Sequence, residues 1–237
     1  MDRLYAELYN RIEQYKKTHN RAGAISLHVP MVGRRYNDQP VRMMWIGRAV
    51  NGWKPELFDQ PPDVYLDSIS QLRQHDDRFS RFINQQDFNF RRSPFWRNCK
   101  LLHQQLHHLS LPAADWYEDV AWANLYWAAP ADGGNPCTSL CAAQQDVCHQ
   151  LLTAQIALLN PTHIVFITDW DWFRDSCPVS APSDCAFADV QRVSTDDGVV
   201  VAAGTIGTSK AIVTRRPEFR ISDKDFTAAV LNAFNTL

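Results

Sequence analysis

The sequence predicts an α/β fold in three layers, with helices on both faces of a central parallel sheet of four strands. Short apolar segments alternate along the chain with longer segments in which apolar residues recur at helical spacing. Several of the short segments are apolar throughout, which is typical of strands covered on both faces. The 237 residues contain no internal repeat and no linker, so we predict one domain over residues 1–237, with residues 1–40 as an N-terminal helix and loop extension.

The elements of the first half follow from periodicity and from capping residues. Leu4 to Lys17 is predicted as a helix because its apolar residues form one stripe. Val41 to Ile46 is an apolar run and is predicted as a buried strand. Pro61-Pro62-Asp63 and Ser93-Pro94 are expected to open two more helices, since proline suits a first helical turn and serine can cap one. Asp119 to Tyr126, rich in Val, Trp and Tyr, is predicted as a strand.

The second half contains the clearest helix, Ser139 to Leu159, which Asn160-Pro161 ends. It follows a predicted loop from Ala128 to Thr138, which holds prolines and a glycine pair. Ser222 is predicted to cap a final helix, with Asp225 three residues later as its partner. Three further strands are predicted from short apolar runs, at His163 to Thr168, Val199 to Ala203 and Ala211 to Thr214.

The composition restricts the kinds of partner that the chain can bind. The net charge is −2, whereas a protein that binds duplex DNA through a broad basic surface is usually more positive. The eight tryptophans are either core residues or part of a stacking surface for bases or sugars. Cationic residues form two local clusters that either bind phosphate or lie on solvated loops: Arg91, Arg92, Arg97 and Lys100, and Lys210, Arg215, Arg216 and Arg220.

The N-terminus and the length of the apolar runs predict a cytoplasmic protein. Met1 to Lys17 is charged and amphipathic, unlike a secretory signal peptide. No apolar run approaches the roughly 20 residues that a membrane span needs, so no membrane partner is expected. In the cytoplasm the six cysteines are expected to stay reduced.

Three of the predicted strands end in segments suited to ligand binding. The first leads into a loop from Gly47 to Trp53, the second contains Asn124, and the last leads into Arg216-Pro217. Because the carboxyl ends of parallel strands share one edge of a sheet, these segments are expected to converge on a pocket. Asn124 is a polar residue in an apolar strand. Its amide either satisfies nearby backbone or donates and accepts hydrogen bonds at the edge of a base.

The order and spacing of these segments resemble the uracil-DNA glycosylase superfamily over roughly residues 41–219, especially its thermostable iron–sulfur branch. The strand that ends at Gly47 resembles the first motif of that family, and Pro94-Phe95-Trp96-Arg97 resembles the helix after it. Ala123-Asn124-Leu125-Tyr126 resembles the strand whose asparagine reads the edge of uracil. Arg216-Pro217-Glu218 occupies the place of the late His-Pro-Ser type motif.

Two positions depart from the pattern of the family. The first loop lacks its usual proline, and Asn51 is the only obvious residue there to position the attacking water. Arg216 stands where the family usually has the histidine that stabilises the departing uracil anion. An arginine supplies positive charge with a different reach and geometry. A chain with these changes is expected to be a slow glycosylase, one with an altered substrate, or not a glycosylase.

The resemblance implies a three-layer fold like that of uracil-DNA glycosylases and a DNA-repair hydrolase that flips a damaged base into a pocket. In this interpretation Asn124 reads the base and an aromatic side chain stacks on it. The implied substrate-binding residues are Gly47, Arg48, Trp53, Phe95, Trp96, Asn124 and Pro217. The implied catalytic residues are Asn51 and Arg216. The alternative is a module of this fold that has lost glycosylase chemistry and binds a nucleobase, a nucleotide or a protein.

The cysteines and histidines predict neither a metal site nor a cofactor. An iron–sulfur cluster needs four cysteines, commonly with one closely spaced pair, and the sequence has no Cys-x-x-Cys. A zinc site at Cys148 and His149 is not predicted either, because adjacent helical residues point to different sides of the helix. His103 and His107 share one helix face without a carboxylate nearby in the sequence, so that face is predicted to be solvated.

Overall fold

A computed structural model describes residues 1–19, 24–51, 58–74, 78–84, 90–109, 113–177, 185–217 and 221–237. Its α-helices are α1 Asp2–His19, α2 Pro62–Gln74, α3 Arg78–Ile83, α4 Pro94–Leu106, α5 Thr138–Leu159, α6 Trp170–Asp175 and α7 Asp223–Thr236. Its strands are β1 Ile25–Leu27, β2 Met31–Val32, β3 Met43–Gly47, β4 Val120–Asn124, β5 Ala128–Pro130, β6 His163–Ile167, β7 Gln191–Arg192, β8 Val200–Ile206 and β9 Ser209–Thr214. The predicted α/β class is confirmed. None of the described helices combines the length and the apolar character that crossing a membrane requires.

A mixed sheet of seven strands lies at the centre of the described residues, in the order β2-β4-β3-β6-β9-β8-β7. Its inner strands β4, β3, β6 and β9 pair in parallel, and they correspond to four of the predicted strands. The prediction of a sheet with four strands is nevertheless wrong. Strand β2 adds antiparallel to β4, and β8 adds antiparallel to β9. Gly207, with a φ of 58°, makes the tight β8–β9 turn, and a tight turn can join only antiparallel strands.

Apolar helices cover both faces of the inner strands. Along β3, Met43 and Trp45 belong to a core shared with α4 and α7, whereas Met44 and Ile46 belong to a core shared with α5 and α6. Successive residues of a strand point to opposite faces, so this one strand contributes to two cores. Trp45 has no exposed surface. The buried sheet therefore holds its strand ends, and the loops that follow them, at fixed positions.

The described residues among the first 40 are packed into the fold. Helix α1 lies against α5, where Tyr5, Leu8 and Ile12 are fully buried. Strand β2 joins the central sheet, and β1 pairs antiparallel with β5. Strand β5 lies in the segment that was expected to be a loop, so that prediction is wrong over Ala128–Pro130. The glycine pair and the second proline follow this strand, and the backbone ahead of them pairs with the distant strand β1.

Three predicted helix ends can be compared with the structure. Asn160 adopts a left-handed conformation with a φ of 43°, and α5 ends at Leu159 as predicted. The hydroxyl of Ser222 accepts a hydrogen bond from the backbone N–H of Asp225 at 3.1 Å, which confirms the predicted cap. Ser93 precedes α4 as expected, but the described structure shows no capping hydrogen bond from its side chain. At α4, the ring of Pro94 in the first turn is the feature that sets the helix start.

Cys177 and Cys185 are joined by a disulfide, so the expectation that all six cysteines are reduced is wrong. Their Cα atoms lie 5.5 Å apart, which is a usual separation for this bond. Both cysteines lie next to α5, where Gln145 Nε2 donates to the carbonyl of Cys177 and the backbone N–H of Ala186 donates to His149 Nε2. The remaining cysteines are free thiols: Cys99, Cys137, Cys141 and Cys148.

The expectation of a solvated histidine face on α4 is also wrong. His103 is 1% exposed, and its Nε2 lies 3.1 Å from Asp119 Oδ2. Asp119 Oδ1 accepts hydrogen bonds from Arg35 Nε at 2.7 Å and from Gln39 Nε2 at 3.0 Å. Burial lowers the pKa of His103 to about 4, with a smaller contribution from His107 and opposition from Asp119. The folded protein therefore holds His103 neutral at pH 7.

We expect the free energy of unfolding to fall as the pH drops from about 6.5 to about 4. In this interval the unfolded chain protonates His103 at its ordinary pKa of 6.5, whereas the folded chain does not. The loss attributable to His103 is at most about 3 kcal/mol. Urea unfolding at successive pH values measures it. His103→Gln should flatten the pH dependence, and His19→Gln, at an exposed position, should not. An unchanged slope in His103→Gln would contradict the assignment.

Candidate functional site

A cavity of about 930 Å³ opens at the carboxyl edge of the inner strands. Gly47 ends β3, Asn124 ends β4 and Arg216 follows β9, and all three residues line the cavity. Gly47 and Asn124 are direct neighbours in the register of the two strands. Pro94 at the start of α4 and Asp223 at the start of α7 line other walls. The strand ends that were expected to converge therefore do so.

A buried amide borders this cavity. Asn124 is 1% exposed, and among the described residues its Nδ2 has no hydrogen-bond partner. The backbone carbonyl of Asn124 accepts a hydrogen bond from Trp127 Nε1 at 2.9 Å, which fixes the chain at the end of β4. A Cβ atom on Gly47 would lie 2.4 Å from Asn124 Oδ1, closer than van der Waals contact allows. Glycine at position 47 is therefore what makes room for the amide.

Aromatic side chains form the wall beside Asn124. The ring of Phe95 is partly buried, and its Cε2 would lie 3.6 Å from a Cβ atom on Gly47. Trp96 is 5% exposed and packs edge-on against Phe95 and Trp122, with 4.8 Å between ring centroids in both pairs. Phe95 is therefore the better placed of these two to present a ring face to a ligand, while Trp96 supports it from the core. Trp53, the third predicted stacking residue, lies outside the described residues.

Arg48 lines the cavity but is bonded to protein groups. Its Nε donates to the carbonyl of Thr168 at 2.8 Å, and its Nη2 forms an ion pair with Asp169. The guanidinium also lies 4.9 Å from the centroid of the Trp172 ring. The predicted substrate-binding role of Arg48 stays a prediction. These contacts hold the loop after β3 against the end of β6.

Asp169 connects three loops at this edge of the sheet, and the sequence analysis did not single it out. Its φ is 67°, a left-handed conformation that is uncommon outside glycine and costs about 1–3 kcal/mol. Its backbone N–H donates to Thr214 O at 2.9 Å, and its Oδ1 accepts from the backbone N–H of Arg216 at 3.3 Å. With the Arg48 ion pair, one side chain joins the ends of β3, β6 and β9. The only sequence signal was an aspartate directly after an apolar strand.

The mouth of the cavity carries positive charge. Arg92 and Arg216 are exposed and line the cavity, and Pro217 beside Arg216 is buried in its wall. Arg97 is paired with Asp223 through contacts of 2.7 Å and 3.2 Å, and this hydrogen bonding raises the pKa of Arg97. Each predicted cationic cluster therefore contributes an exposed arginine to the mouth, while Arg97 is neutralised by its partner.

The predicted water-positioning residue links two loops. Asn51 is exposed at the cavity wall, and its Oδ1 accepts a hydrogen bond from the backbone N–H of Gly134 at 2.6 Å. Among the described residues that line the cavity, Asp223 is the only carboxylate. It is already bound by Arg97 and by Asn98 Nδ2 at 3.2 Å. Within this part of the chain, no carboxylate is available to act as a general base.

A buried glutamine supports the segment that follows Asn124. Gln144 of α5 has no exposed surface. Its Oε1 accepts from the backbone N–H groups of Trp127 at 3.2 Å and Ala128 at 2.8 Å, and its Nε2 donates to the carbonyl of Ala128 at 2.8 Å. The sequence indicated only that Gln144 lies on a helix. Its role as the partner of the β4–β5 connection becomes visible in the tertiary structure alone.

Comparison with known proteins does not place the chain in a family. No family model and no curated protein matches it. The resemblance to uracil-DNA glycosylases therefore stays a prediction, and the function has to be inferred from the cavity itself.

Cys137, at the start of α5, differs from the other free thiols. Its sulfur lies 3.3 Å from the hydroxyls of both Ser139 and Tyr15, and hydrogen bonding to them lowers the pKa of Cys137 to about 7. Burial raises the pKa of Cys141 to about 12. The thiolate is the nucleophile in alkylation, so Cys137 alone should react rapidly at neutral pH.

We expect iodoacetamide at pH 7.5 to modify Cys137 before the other free cysteines, as read by peptide mass spectrometry of partly alkylated protein. Ser139→Ala should slow this reaction, because it removes the largest contribution to the lowered pKa. Thr153→Ala, on the same helix and away from the thiol, serves as the control. Equal rates at Cys137 and Cys141 would show that the hydrogen bonds do not activate the thiol.

Proposed function

We propose that the cavity binds a single nucleobase rotated out of a DNA strand, and that Asn124 recognises this base by its hydrogen-bonding edge. The buried amide carries the proposal. A buried donor without a partner costs about 1–3 kcal/mol, and a ligand that supplies an acceptor recovers this cost. An amide both donates and accepts, which matches the carbonyl and N–H groups along the edge of uracil.

The size and walls of the cavity support the same ligand class. A volume of about 930 Å³ lies within the range of small-molecule sites, which runs from about 300 to 1,000 Å³. Phe95 offers an aromatic face next to Asn124, and stacking on such a face is tolerant of base identity. Arg92 and Arg216 at the mouth provide positive charge for the phosphates that flank an extruded nucleotide.

The resemblance to uracil-DNA glycosylases adds a reaction to this binding site, the hydrolysis of the bond between base and sugar. In that reaction Asn51 would orient the water and Arg216 would stabilise the base as it leaves with negative charge. Asn51 Oδ1 already accepts one hydrogen bond, from Gly134, and a carbonyl-type oxygen can accept a second. Both residues line the cavity, as this assignment requires.

A second candidate function is base or nucleotide binding without hydrolysis. One observation favours it. The single carboxylate among the described cavity residues, Asp223, is held by Arg97 and Asn98. A pocket without an available general base retains recognition but loses most of the activation of water.

Two measurements on the same oligonucleotides separate these functions. The first is release of abasic sites from strands that contain uracil, hypoxanthine or a mismatch, read by alkaline cleavage. The second is equilibrium binding by fluorescence anisotropy. Binding with abasic sites supports the glycosylase, and binding without them supports the second candidate. Failure to bind any of these strands, or free bases, would remove both.

We expect Asn124→Asp to weaken binding of the uracil strand by about 5- to 150-fold, because a carboxylate accepts but cannot donate to the base carbonyl. Arg216→Ala should weaken binding less and reduce its salt dependence if the guanidinium contacts phosphate. Arg174→Ala, an exposed arginine that does not line this cavity, is the control. Unchanged binding in both Asn124→Asp and Arg216→Ala would exclude the cavity as the base site.

A further inference from the structure

A second cluster of reactive side chains lies between α5 and the segment around the disulfide. His149, Cys177 and Cys185 each bring one potential ligand atom to this point, and these atoms lie within 4.8 Å of one another. His149 is 5% exposed. None of the three residues lines the base-binding cavity described above, so this cluster is independent of the proposed function.

Helix α5 carries His149 and contacts the backbone at or next to each of the two cysteines. Gln145 Nε2 donates to the carbonyl of Cys177 at 2.9 Å, one turn before His149 on the same face of the helix. The backbone N–H of Ala186 donates to His149 Nε2 at 3.3 Å and anchors the chain directly after Cys185. The two cysteine backbones are thus attached to the helix at separate points. The bond from Gln145 involves no ligand atom, so it can keep Cys177 next to the helix when the disulfide is reduced.

The second ring nitrogen of His149 is available to bind a ligand. Its Nδ1 is buried, and among the described residues it has no hydrogen-bond partner. The ring packs edge-on against Phe187, with 4.7 Å between centroids, which limits its rotation. An imidazole of limited rotation, with one ring nitrogen within 4.8 Å of two cysteine sulfurs, is a ligand set that suits Zn²⁺.

We propose that His149, Cys177 and Cys185 form a Zn²⁺ site when the disulfide is reduced, and that oxidation of the two cysteines closes the site. Tetrahedral zinc with thiolate bonds of about 2.3 Å places two sulfurs roughly 3.8 Å apart. Cysteines whose Cα atoms are 5.5 Å apart can reach that spacing by side-chain rotation. Coordination by either ring nitrogen of His149 releases the 3.3 Å hydrogen bond from Ala186, because Nε2 then holds either the metal ion or the ring proton.

The redox step is a thiol–disulfide exchange with a dithiol reductant. The dithiol supplies two electrons and two protons, its own sulfurs become a disulfide, and Cys177 and Cys185 become thiols. Binding of Zn²⁺ then releases the two thiol protons and forms two zinc–sulfur bonds. The reverse exchange with a small disulfide re-forms the Cys177–Cys185 bond and frees Zn²⁺, while the small disulfide takes up two electrons and two protons and leaves as two thiols.

The site has an entry path and an open coordination position. Cys177 and Cys185 line a cavity of about 870 Å³ between α5 and α6, which Trp170 and Trp172 also border. Three protein ligands leave the fourth position of a tetrahedral ion to water or to a small molecule in this cavity. His149 and Cys185 are buried, so water would be excluded from the side of the ion that faces the protein.

The test is metal titration of the whole protein in its two redox states. Protein reduced with a phosphine and then freed of it should bind one equivalent of Co²⁺, read by thiolate-to-cobalt charge-transfer absorption. Zn²⁺ should displace the Co²⁺, and the oxidised protein should show no absorption. His149→Ala and Cys185→Ser should each bind Co²⁺ at least about tenfold more weakly.

Cys141→Ser is the matched control, since Cys141 lies on the same helix and lines the same cavity but is not one of the three ligands. It should bind Co²⁺ as the parent protein does. Circular dichroism of each variant establishes that it is folded. The proposal is overturned if the reduced protein takes up no stoichiometric metal. It is equally overturned if folded Cys185→Ser binds as the parent does, or if Cys141→Ser loses binding to the same extent.

Discussion

Gly47→Ala is expected to weaken binding of a uracil-containing strand by about tenfold or more while leaving the protein folded. The added Cβ atom would lie 2.4 Å from Asn124 Oδ1, which is the end of a side chain, so the amide has to rotate away while the backbone stays in place. Displacing the amide removes the hydrogen bonds on which base recognition depends, and each such bond is worth about 1–3 kcal/mol when its partner is buried.

A double-mutant cycle makes this prediction specific. In an Asn124→Ala background the clash is absent, so adding Gly47→Ala should change the remaining affinity by less than about twofold. Binding is measured by anisotropy, and urea unfolding checks that stability is similar in all four proteins. If Gly47→Ala weakens binding equally in both backgrounds, it acts through the loop after β3, and Asn124 is not the recognising group. If the single variant binds normally, the cavity edge at Gly47 does not contact the ligand.

Gln144→Leu is expected to lower the free energy of unfolding by about 3–5 kcal/mol, the largest stability effect predicted for this chain. The change leaves two backbone N–H groups and one carbonyl of Trp127 and Ala128 without their partner in the core. Each unpaired buried group costs about 1–3 kcal/mol, and leucine returns part of this loss through its apolar surface.

Gln150→Leu is the matched control, because Gln150 lies on the same helix and is exposed. It should change stability by no more than about 0.5 kcal/mol. Urea unfolding followed by circular dichroism measures both variants. Because Trp127 also bonds the carbonyl of Asn124, Gln144→Leu should weaken base binding even where the protein remains folded. A loss of stability similar to that of Gln150→Leu would show that the backbone groups find other partners.

The sequence by itself was sufficient for the inner strands, the longer helices and the convergence of strand ends. Apolar runs located the inner strands β3, β4, β6 and β9, and helical spacing located α1, α4 and α5. The end of α5 and the cap of α7 were correct because Asn160 and Ser222 act on the backbone within a few residues of themselves. Asn124 could be recognised from the sequence as a candidate site residue, because a polar residue interrupts the apolar pattern of its strand. Each of these signals is local, and local periodicity reports burial directly.

Only the tertiary structure decided which distant groups meet. His103 is paired with Asp119, Asn51 with Gly134, and His149 lies beside Cys177 and Cys185. The antiparallel strands at the sheet edges, β2 and β8, likewise depend on pairing between separate segments. Periodicity states that a residue is buried, but it does not state what the residue is buried against. The three-dimensional path of the chain determines which polar groups pair. A buried donor or charge is stable only where that path brings an acceptor or an opposite charge within bonding distance.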